Sequence, residues 1–337
     1  LDFDVVIFGG GISGLAVAQN LQGDFRVAVL EENATAGGLA LQLGCKATSE
    51  CLYCGVCRAL ALKRDTPGFP ILLQRKVRNI AKQGETFVVE TDRETVKGES
   101  LVVATGAVPF DARKVPNLGW KRFPNIYTGF EVEAALNQGF LQEFSLFKRV
   151  AFVQCVGSRN FKEQRGYCSQ VCCRYALRLA ENLIFLYPQL MIDFYYMDLQ
   201  ILGKKTEKLW EITRKIQLIR QIPFEVREKE GRIALLFEST RVTESEPYDA
   251  LILSVGMVPS PGTRQIGEIL QLNFTPEGFV RHYGEGKTSR EGVWVCGTAC
   301  GPKDIETSLE EACRVSQAIR RKKGGREVEE GTLALRG

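Results

Sequence analysis

The sequence predicts an α/β fold in which a Rossmann-type dinucleotide-binding domain is split in the chain by a second α/β module. Two observations carry this. Residues 4–8, Asp-Val-Val-Ile-Phe, have the pattern of a buried strand and run straight into Gly9-Gly10-Gly11-Ile12-Ser13-Gly14 and a helical stretch over 15–21, followed by a second strand over 27–30 that ends in Glu31. Farther on, the apolar strand of residues 149–154 enters a dense cysteine stretch and then a run with Ala176, Leu177, Ala180 and Leu183 at helical spacing.

The first unit has the order that a dinucleotide site needs. Gly9, Gly11 and Gly14 spell G-x-G-x-x-G between strand and helix. A turn without side chains, with Ile12 and Ser13 at the helix start, lets a pyrophosphate reach backbone amides. Glu31 stands 22 residues after Gly9, with Glu32 beside it, where an acid meets a ribose hydroxyl. Strands are expected over 87–91 and 99–104, an irregular link at Pro109, Pro116 and Pro124, and a short helix over 131–136. The second module continues with a strand over 191–197, a helix over 205–219, hairpin-like runs over 224–228 and 233–237, and a strand over 250–256. Tyr195 and Tyr196 suit sheet packing, with a relay role as the alternative. His282, the one histidine, sits in a polar loop and is expected at the surface.

The chain has 337 residues, enough for two domains with separate cores. It is 45% apolar and 25% charged, as ordinary globular proteins are, and its net charge of +4 gives no reason to expect nucleic acid. The basic run Arg320-Arg321-Lys322-Lys323 reads as a solvated helix end, with a docking patch as the alternative. No apolar run approaches a membrane span, and the first residues enter a strand instead of a signal peptide. Eleven cysteines, odd in number and clustered, point to metal or redox use in a reducing, cytoplasmic compartment.

Cys155, Cys168, Cys172 and Cys173 form the pattern C-x12-C-x3-C-C. Cys155 is expected to end a strand; Cys168, Cys172 and Cys173 are expected to begin a helix, with Cys168 and Cys172 four apart on one face. The positive helix start and Arg159, Lys162, Arg165 and Arg174 suit an anionic iron–sulfur cluster. Tetrahedral zinc takes the same ligands, and four buried packing cysteines are the plain alternative. Cys45, Cys51, Cys54 and Cys57 form C-x5-C-x2-C-x2-C, whose last three match common cluster spacing. A second cluster, zinc, a reduced loop and a persulfide all stay open there. Cys296, Cys300 and Cys313 lack ligand spacing and read as structural.

The run from Glu31 to Gly37-Gly38, followed by Leu39, resembles the extended FAD fingerprint of two-dinucleotide-binding-domain flavoproteins of the thioredoxin and glutathione reductase type. Ala104-Thr105-Gly106 resembles their ATG motif, and residues 292–297 resemble the strand that leads to the flavin ribityl chain. Most relatives continue Gly-Asp there, and this chain has Gly297-Thr298. The resemblance implies FAD, with Val77 offering its backbone to the adenine and a helix start near Lys303 and Ile305 facing the pyrimidine side of the flavin. Cys45 falls where such reductases carry the second cysteine of a redox pair. The first would stand at Ala40, so disulfide exchange is not expected. The second module leads into Cys155 where a nicotinamide domain would have glycines, so tight NAD(P)H binding is not expected.

Gln154-Cys155-Val156-Gly157-Ser158-Arg159, Tyr167-Cys168-Ser169-Gln170-Val171-Cys172-Cys173, Leu202-Gly203-Lys204 and Gly301-Pro302-Lys303-Asp304-Ile305 resemble the signature of HdrA, the flavin-bearing component of heterodisulfide reductase. That resemblance implies a [4Fe–4S] cluster on the C-x12-C-x3-C-C cysteines beside FAD, electron transfer with other subunits of a heterodisulfide-reductase-like complex, and a homodimer. Lacking inserted and terminal ferredoxin modules, the chain is similar to the short HdrA-like component of the sulfur oxidisers' complex, where a lipoate-carrying protein is an expected partner. The flavoprotein component of a quinone-interacting oxidoreductase and a stand-alone NAD(P)H-dependent flavin oxidoreductase are the alternatives. The expected division is a flavin domain over 1–128 and 263–325, a linker over 129–147, a cluster-bearing module over 148–262, and a mobile tail over 326–337.

Overall fold

The computed structural model describes residues 1–64, 68–139, 142–203, 205–238 and 240–323, without the side chain of Lys162. Lys204, the expected tail and the last two residues of the expected flavin domain lie outside them.

The chain runs β1 (Asp2–Phe8), α1 (Ile12–Leu21), β2 (Val27–Glu31), α2 (Val56–Arg64), β3 (Ile71–Leu73), β4 (Val77–Gln83), β5 (Thr86–Thr91), β6 (Thr95–Val103) and β7 (Ala107–Pro109). There follow β8 (Ile126–Thr128), α3 (Gly129–Gln138), β9 (Arg149–Val156), α4 (Cys172–Leu186), β10 (Met191–Tyr195), α5 (Glu207–Thr213) and β11 (Gln217–Ile219). The last part holds β12 (Glu225–Lys229), β13 (Arg232–Glu238), β14 (Val242–Glu244), β15 (Ala250–Val255), β16 (Met257–Pro259), α6 (Pro261–Ile269), β17 (Val293–Val295) and α7 (Ile305–Lys323).

The first sheet has the order β3-β2-β1-β6-β5-β4, with β17 also on β6. The strand β6 serves two purposes. Its first half pairs antiparallel with β5, and its second half pairs parallel with β17, which returns from near the end of the chain. That return closes the first domain around its own insertion. The helix α1 packs between this sheet and α7, in a core that includes Leu15, Val17, Trp294 and Val315.

The second sheet, β11-β10-β9-β15-β8, is parallel throughout. Buried on both faces, its strands carry unbroken apolar runs such as Val150-Ala151-Phe152-Val153, as parallel sheets do. Tyr195 is buried, its hydroxyl 2.7 Å from that of Tyr248, which donates to Asp193, so it is a packing residue. A small antiparallel sheet, β12-β13-β14, covers one side, and the ribbon β7–β16 joins the two domains.

Two expectations differ from this structure. The strand β8 pairs with β15, and Val132 of α3 and Phe144 lie in the core of the second module, so the described residues of 126–139 and 142–147 pack with that module and do not divide between the expected flavin domain and linker. The helix expected over 205–219 stops at Thr213, because Gln217–Ile219 pairs with β10 as an edge strand. Among the described residues no helix is long and apolar enough to cross a membrane.

Candidate functional site

The first strand–turn–helix unit opens on a cavity of about 610 Å3. Gly9, Gly11, Ile12 and Ser13 form its floor, and no side chain caps α1, so the first amides of the helix are left for a ligand. Glu31, Glu32, Gly37, Gly38 and Leu39 follow along one wall. Glu31 is buried, and its carboxylate accepts from the Gly10 N–H at 2.7 Å and from the Asn33 N–H at 2.9 Å. The acid therefore also holds the glycine turn against the end of β2. Gly14 and Gly297 do not line the cavity. A Cβ on Gly14 would lie 2.0 Å from the Gly9 carbonyl oxygen, and one on Gly297 2.0 Å from Ser13 Oγ; both glycines let the cradle close.

Val77, Ala104, Thr105, Gly106 and Thr298 form the opposite wall. The Val77 carbonyl accepts from Gln265 Nε2 at 2.9 Å. The start of α6 braces the Ala104-Thr105-Gly106 turn, with Ser260 donating to the Thr105 carbonyl at 2.9 Å and Thr263 to the Gly106 carbonyl at 2.8 Å. Lys303 and Ile305 also line the cavity. Lys303 Nζ donates to Glu311 at 2.7 Å and to Cys300 Sγ at 3.1 Å, and Glu311 also accepts from the Gly297 N–H. These contacts hold the ammonium at the cavity wall. The donor atoms of His282, Cys300 and Glu311 lie within 4.8 Å of one another, so the exposed histidine borders this group.

The second unit brings its cysteines to the same cavity. Leu253 faces Val153 and Val255 faces Val156, so β9 carries one extra residue there, a β-bulge. Cys155, at φ 63°, lies in that bulge and leaves the plane of the sheet. The loop 157–171 begins with a small hairpin, in which the Arg159 N–H meets the Tyr167 carbonyl at 2.9 Å and Asn160 pairs with Arg165. The Tyr167 hydroxyl then donates to the Met257 carbonyl at 2.6 Å, and fully buried Ser169 accepts from the Met257 N–H at 2.9 Å.

Cys168 differs from expectation. It precedes α4, which starts at Cys172, and Gln170 at φ 60° interrupts any helical path between them. Cys168 and Cys172 therefore do not share a helical face, and the loop anchors bring Cys168 in instead. Burial pushes the Cys155 thiol up to about 11, with Cys173 and Cys168 adding to the rise, and raises Cys172 and Cys173. The four thiols thus share one neighbourhood, but no three of their sulfurs lie within 4.8 Å of one another. Of the expected cations, Arg159 pairs with Asp198, Arg174 pairs with Asp304, and Arg165 lies over the Phe110 ring.

Cys172 lines the same cavity, as do Arg174, Tyr175 and Arg178 of α4. The Cys45–Cys57 segment reaches it through Lys46, Tyr53 and Cys54, whereas Cys45, Cys51 and Cys57 are exposed. Sequence reasoning missed Lys46. It forms a buried ion pair with Glu133 of α3, which also accepts from the Tyr175 hydroxyl at 2.5 Å. It missed Arg178 too, whose Nε donates to the Leu52 carbonyl at 2.8 Å. No local motif marks either residue; only the approach of α3 and α4 to the 45–57 segment does.

Residues 3–153 match the family described as pyridine nucleotide-disulphide oxidoreductase. The chain is 34% identical over 230 residues to an iron-sulfur HdrA protein of the CoB–CoM heterodisulfide reductase of Methanopyrus kandleri, covering 62% of this chain and 35% of that protein. It is 31% identical over 270 residues to the HdrA component of the H2:CoB–CoM heterodisulfide, ferredoxin reductase of Methanothermobacter thermautotrophicus, covering 73% and 41%. The chain thus spans about two fifths or less of these relatives. Among solved structures, the thioredoxin reductases of T. acidophilum and Lactococcus lactis superpose with a TM-score of 0.64 each, at 17% and 16% identity, over 96% and 95% of this chain and 99% and 98% of theirs. The chain therefore has the two-domain α/β fold of the thioredoxin-reductase-type flavoproteins, matches the pyridine nucleotide-disulphide oxidoreductase family over residues 3–153, and is similar in sequence to the HdrA proteins of heterodisulfide reductase.

Proposed function

We propose that this chain is the FAD- and iron–sulfur-bearing electron-transfer subunit of a heterodisulfide-reductase-like complex, acting in cytoplasmic oxidation of sulfur compounds. The observation that carries the reading is the position of Cys172, which belongs to a four-thiol group and also lines the dinucleotide cavity. The residues fit FAD, with a glycine turn at an uncapped helix start, an acid at the end of β2, and a braced Ala104-Thr105-Gly106 turn. Four thiols gathered in one neighbourhood, two of them in the first turn of α4, fit an anionic cluster on Cys155, Cys168, Cys172 and Cys173.

FAD when bound accepts or gives electrons singly or in pairs, and a [4Fe–4S] cluster moves them singly. The chain's own part is placement. The bulge and the Ser169 and Tyr167 anchors fix the thiols against the cavity, and burial excludes water from Cys172 and Cys173. No nucleophile–base pair faces the cavity among the described residues, so sulfur chemistry falls to partner subunits, a lipoate-carrying protein among them. We infer a homodimer close to the short HdrA-like component of the sulfur oxidisers' complex from the sequence motifs alone.

The test is metal, acid-labile sulfide and flavin analysis of anaerobically prepared protein. Flavin with iron and sulfide, the iron falling by about four per chain in Cys172→Ser, is expected. Zinc in place of iron would overturn the cluster, and rapid bleaching of the flavin by NADH would overturn the electron-transfer role within a complex.

A further inference from the structure

The segment from Cys45 to Cys57 takes no part in the glycine cradle, yet it carries four of the eleven cysteines. Cys51, Cys54 and Cys57 have the C-x2-C-x2-C spacing of ferredoxin ligands, a pattern completed by a fourth cysteine from elsewhere in the chain. Cys45, six residues before Cys51, is the fourth cysteine that this segment offers. The backbone is curled to match. Tyr53 and Gly55 are left-handed, at φ 50° and 83°, on either side of Cys54. Alternation of this kind turns amides inward and makes the concave nests in which anionic clusters sit. The Tyr53 N–H points at Cys51 Sγ from 3.4 Å, and the Ala47 N–H at Cys45 Sγ from 3.5 Å. Such donors favour sulfur that carries negative charge.

A second, independent observation lies beneath the segment. Arg178 is 9% exposed, and its Nε and Nη2 donate to the Leu52 and Tyr53 carbonyls at 2.8 and 3.1 Å. Among the described residues no carboxylate pairs with it. The anion-forming groups that act on it are Cys54, Asp304 and Cys51, and Asp304 is already paired with Arg174. The guanidinium is held by backbone carbonyls directly under the turn that carries Cys51 and Cys54, and a buried cation there suits an anionic group bound in that turn.

We propose that Cys45, Cys51, Cys54 and Cys57 hold a second iron–sulfur cluster, open to the surface on one side and reaching the flavin cavity through Cys54 on the other. It deepens the electron-transfer reading and rests on it only for its redox partner. Each electron that enters the cluster from reduced flavin oxidises the flavin by one, and the exposed edge lets a docked one-electron acceptor remove it. The exposed Tyr53, beside Lys205 at 4.8 Å, borders that edge.

The experiment compares anaerobically prepared wild-type protein with the double variants Cys51→Ser/Cys54→Ser and Cys168→Ser/Cys172→Ser. Iron, zinc, acid-labile sulfide and FAD per chain are measured, with paramagnetic resonance spectra after dithionite reduction. About eight irons are expected in the wild type and about four in each double variant, each variant losing a different resonance signal and keeping its flavin. Iron and sulfide unchanged in Cys51→Ser/Cys54→Ser would overturn the proposal, as would zinc lost in their place. Iron lost only in that variant would leave this site standing and sink the cluster on Cys155, Cys168, Cys172 and Cys173. Should the double variant not fold, Cys57→Ser changes an exposed side chain and is expected to give the same halving; full iron content there would overturn the proposal.

Discussion

The two strand–turn–helix units of this molecule share a plan and differ in the turn. In the first, β1 passes through a short glycine-rich turn into α1, and the gap is an open cradle. In the second, β9 passes through a long anchored loop into α4, and the gap is filled with thiols. Each is flanked by parallel strands, and each helix starts at the same cavity. The fold thus decides where a cofactor can sit, and the turn decides which kind. Side-chain-free backbone admits a phosphate; buried sulfur excludes it and suits a metal centre.

The comparison breaks most completely at Gly14. A valine there would drive its Cβ far inside contact distance of the Gly9 carbonyl, so Gly14→Val is expected to abolish flavin retention, read from the absorbance of purified protein. The thiols of the second unit do not depend on that cradle, so the same substitution should spare iron at Cys155 to Cys173 wherever the chain still folds.

Next in size is the bridge between the units. Lys46→Met leaves Glu133 buried without its cation and should lower stability by about 3–5 kcal/mol. Denaturant midpoints check this, and Lys46→Met/Glu133→Leu should recover most of the loss. Within the second unit, Ser169→Ala strands the Met257 N–H and should lower stability by about 1–3 kcal/mol; a change below the error of a thermal melt would mean that the loop is not held there.

The smallest effect concerns Asp304, which clasps Arg174 across the two domains. Burial alone would raise its carboxyl, but bonds from Thr307 and Arg174 outweigh this and hold it below the ordinary value. Its contribution is therefore complete above the ordinary value near 3.8 and disappears as pH falls through the lower folded value. Asp304→Asn should be less stable than wild type at pH 6, and the gap should close in strong acid; a gap independent of pH would show that the carboxylate charge has no part in it.

The first unit was legible almost residue by residue, because a glycine cradle is local and each part has its own signature in sequence. The second was legible in composition but not in path. The spacing of Cys168 and Cys172 fits a helix, yet Gln170 turns the other way, since Ser169 and Tyr167 find better partners on β16 than a helical turn would give them. The boundary near 128 was hidden for a related reason: three residues, Ile126–Thr128, are too few to announce which sheet they will join. Lys46, Glu133 and Arg178 form contacts between segments more than eighty residues apart, and no window along the chain contains them.

The bulge in β9 bears on how such a chain can vary. One surplus residue aims Cys155 away from its ladder. Loss of a single codon between Val153 and Val156 would leave a sheet that still pairs and a domain that still folds, yet with its first thiolate facing the wrong layer. On the proposed reading, a lineage could in this way lose its cluster through one in-frame deletion, with no change at Cys168, Cys172 or Cys173 and no scar in the overall architecture.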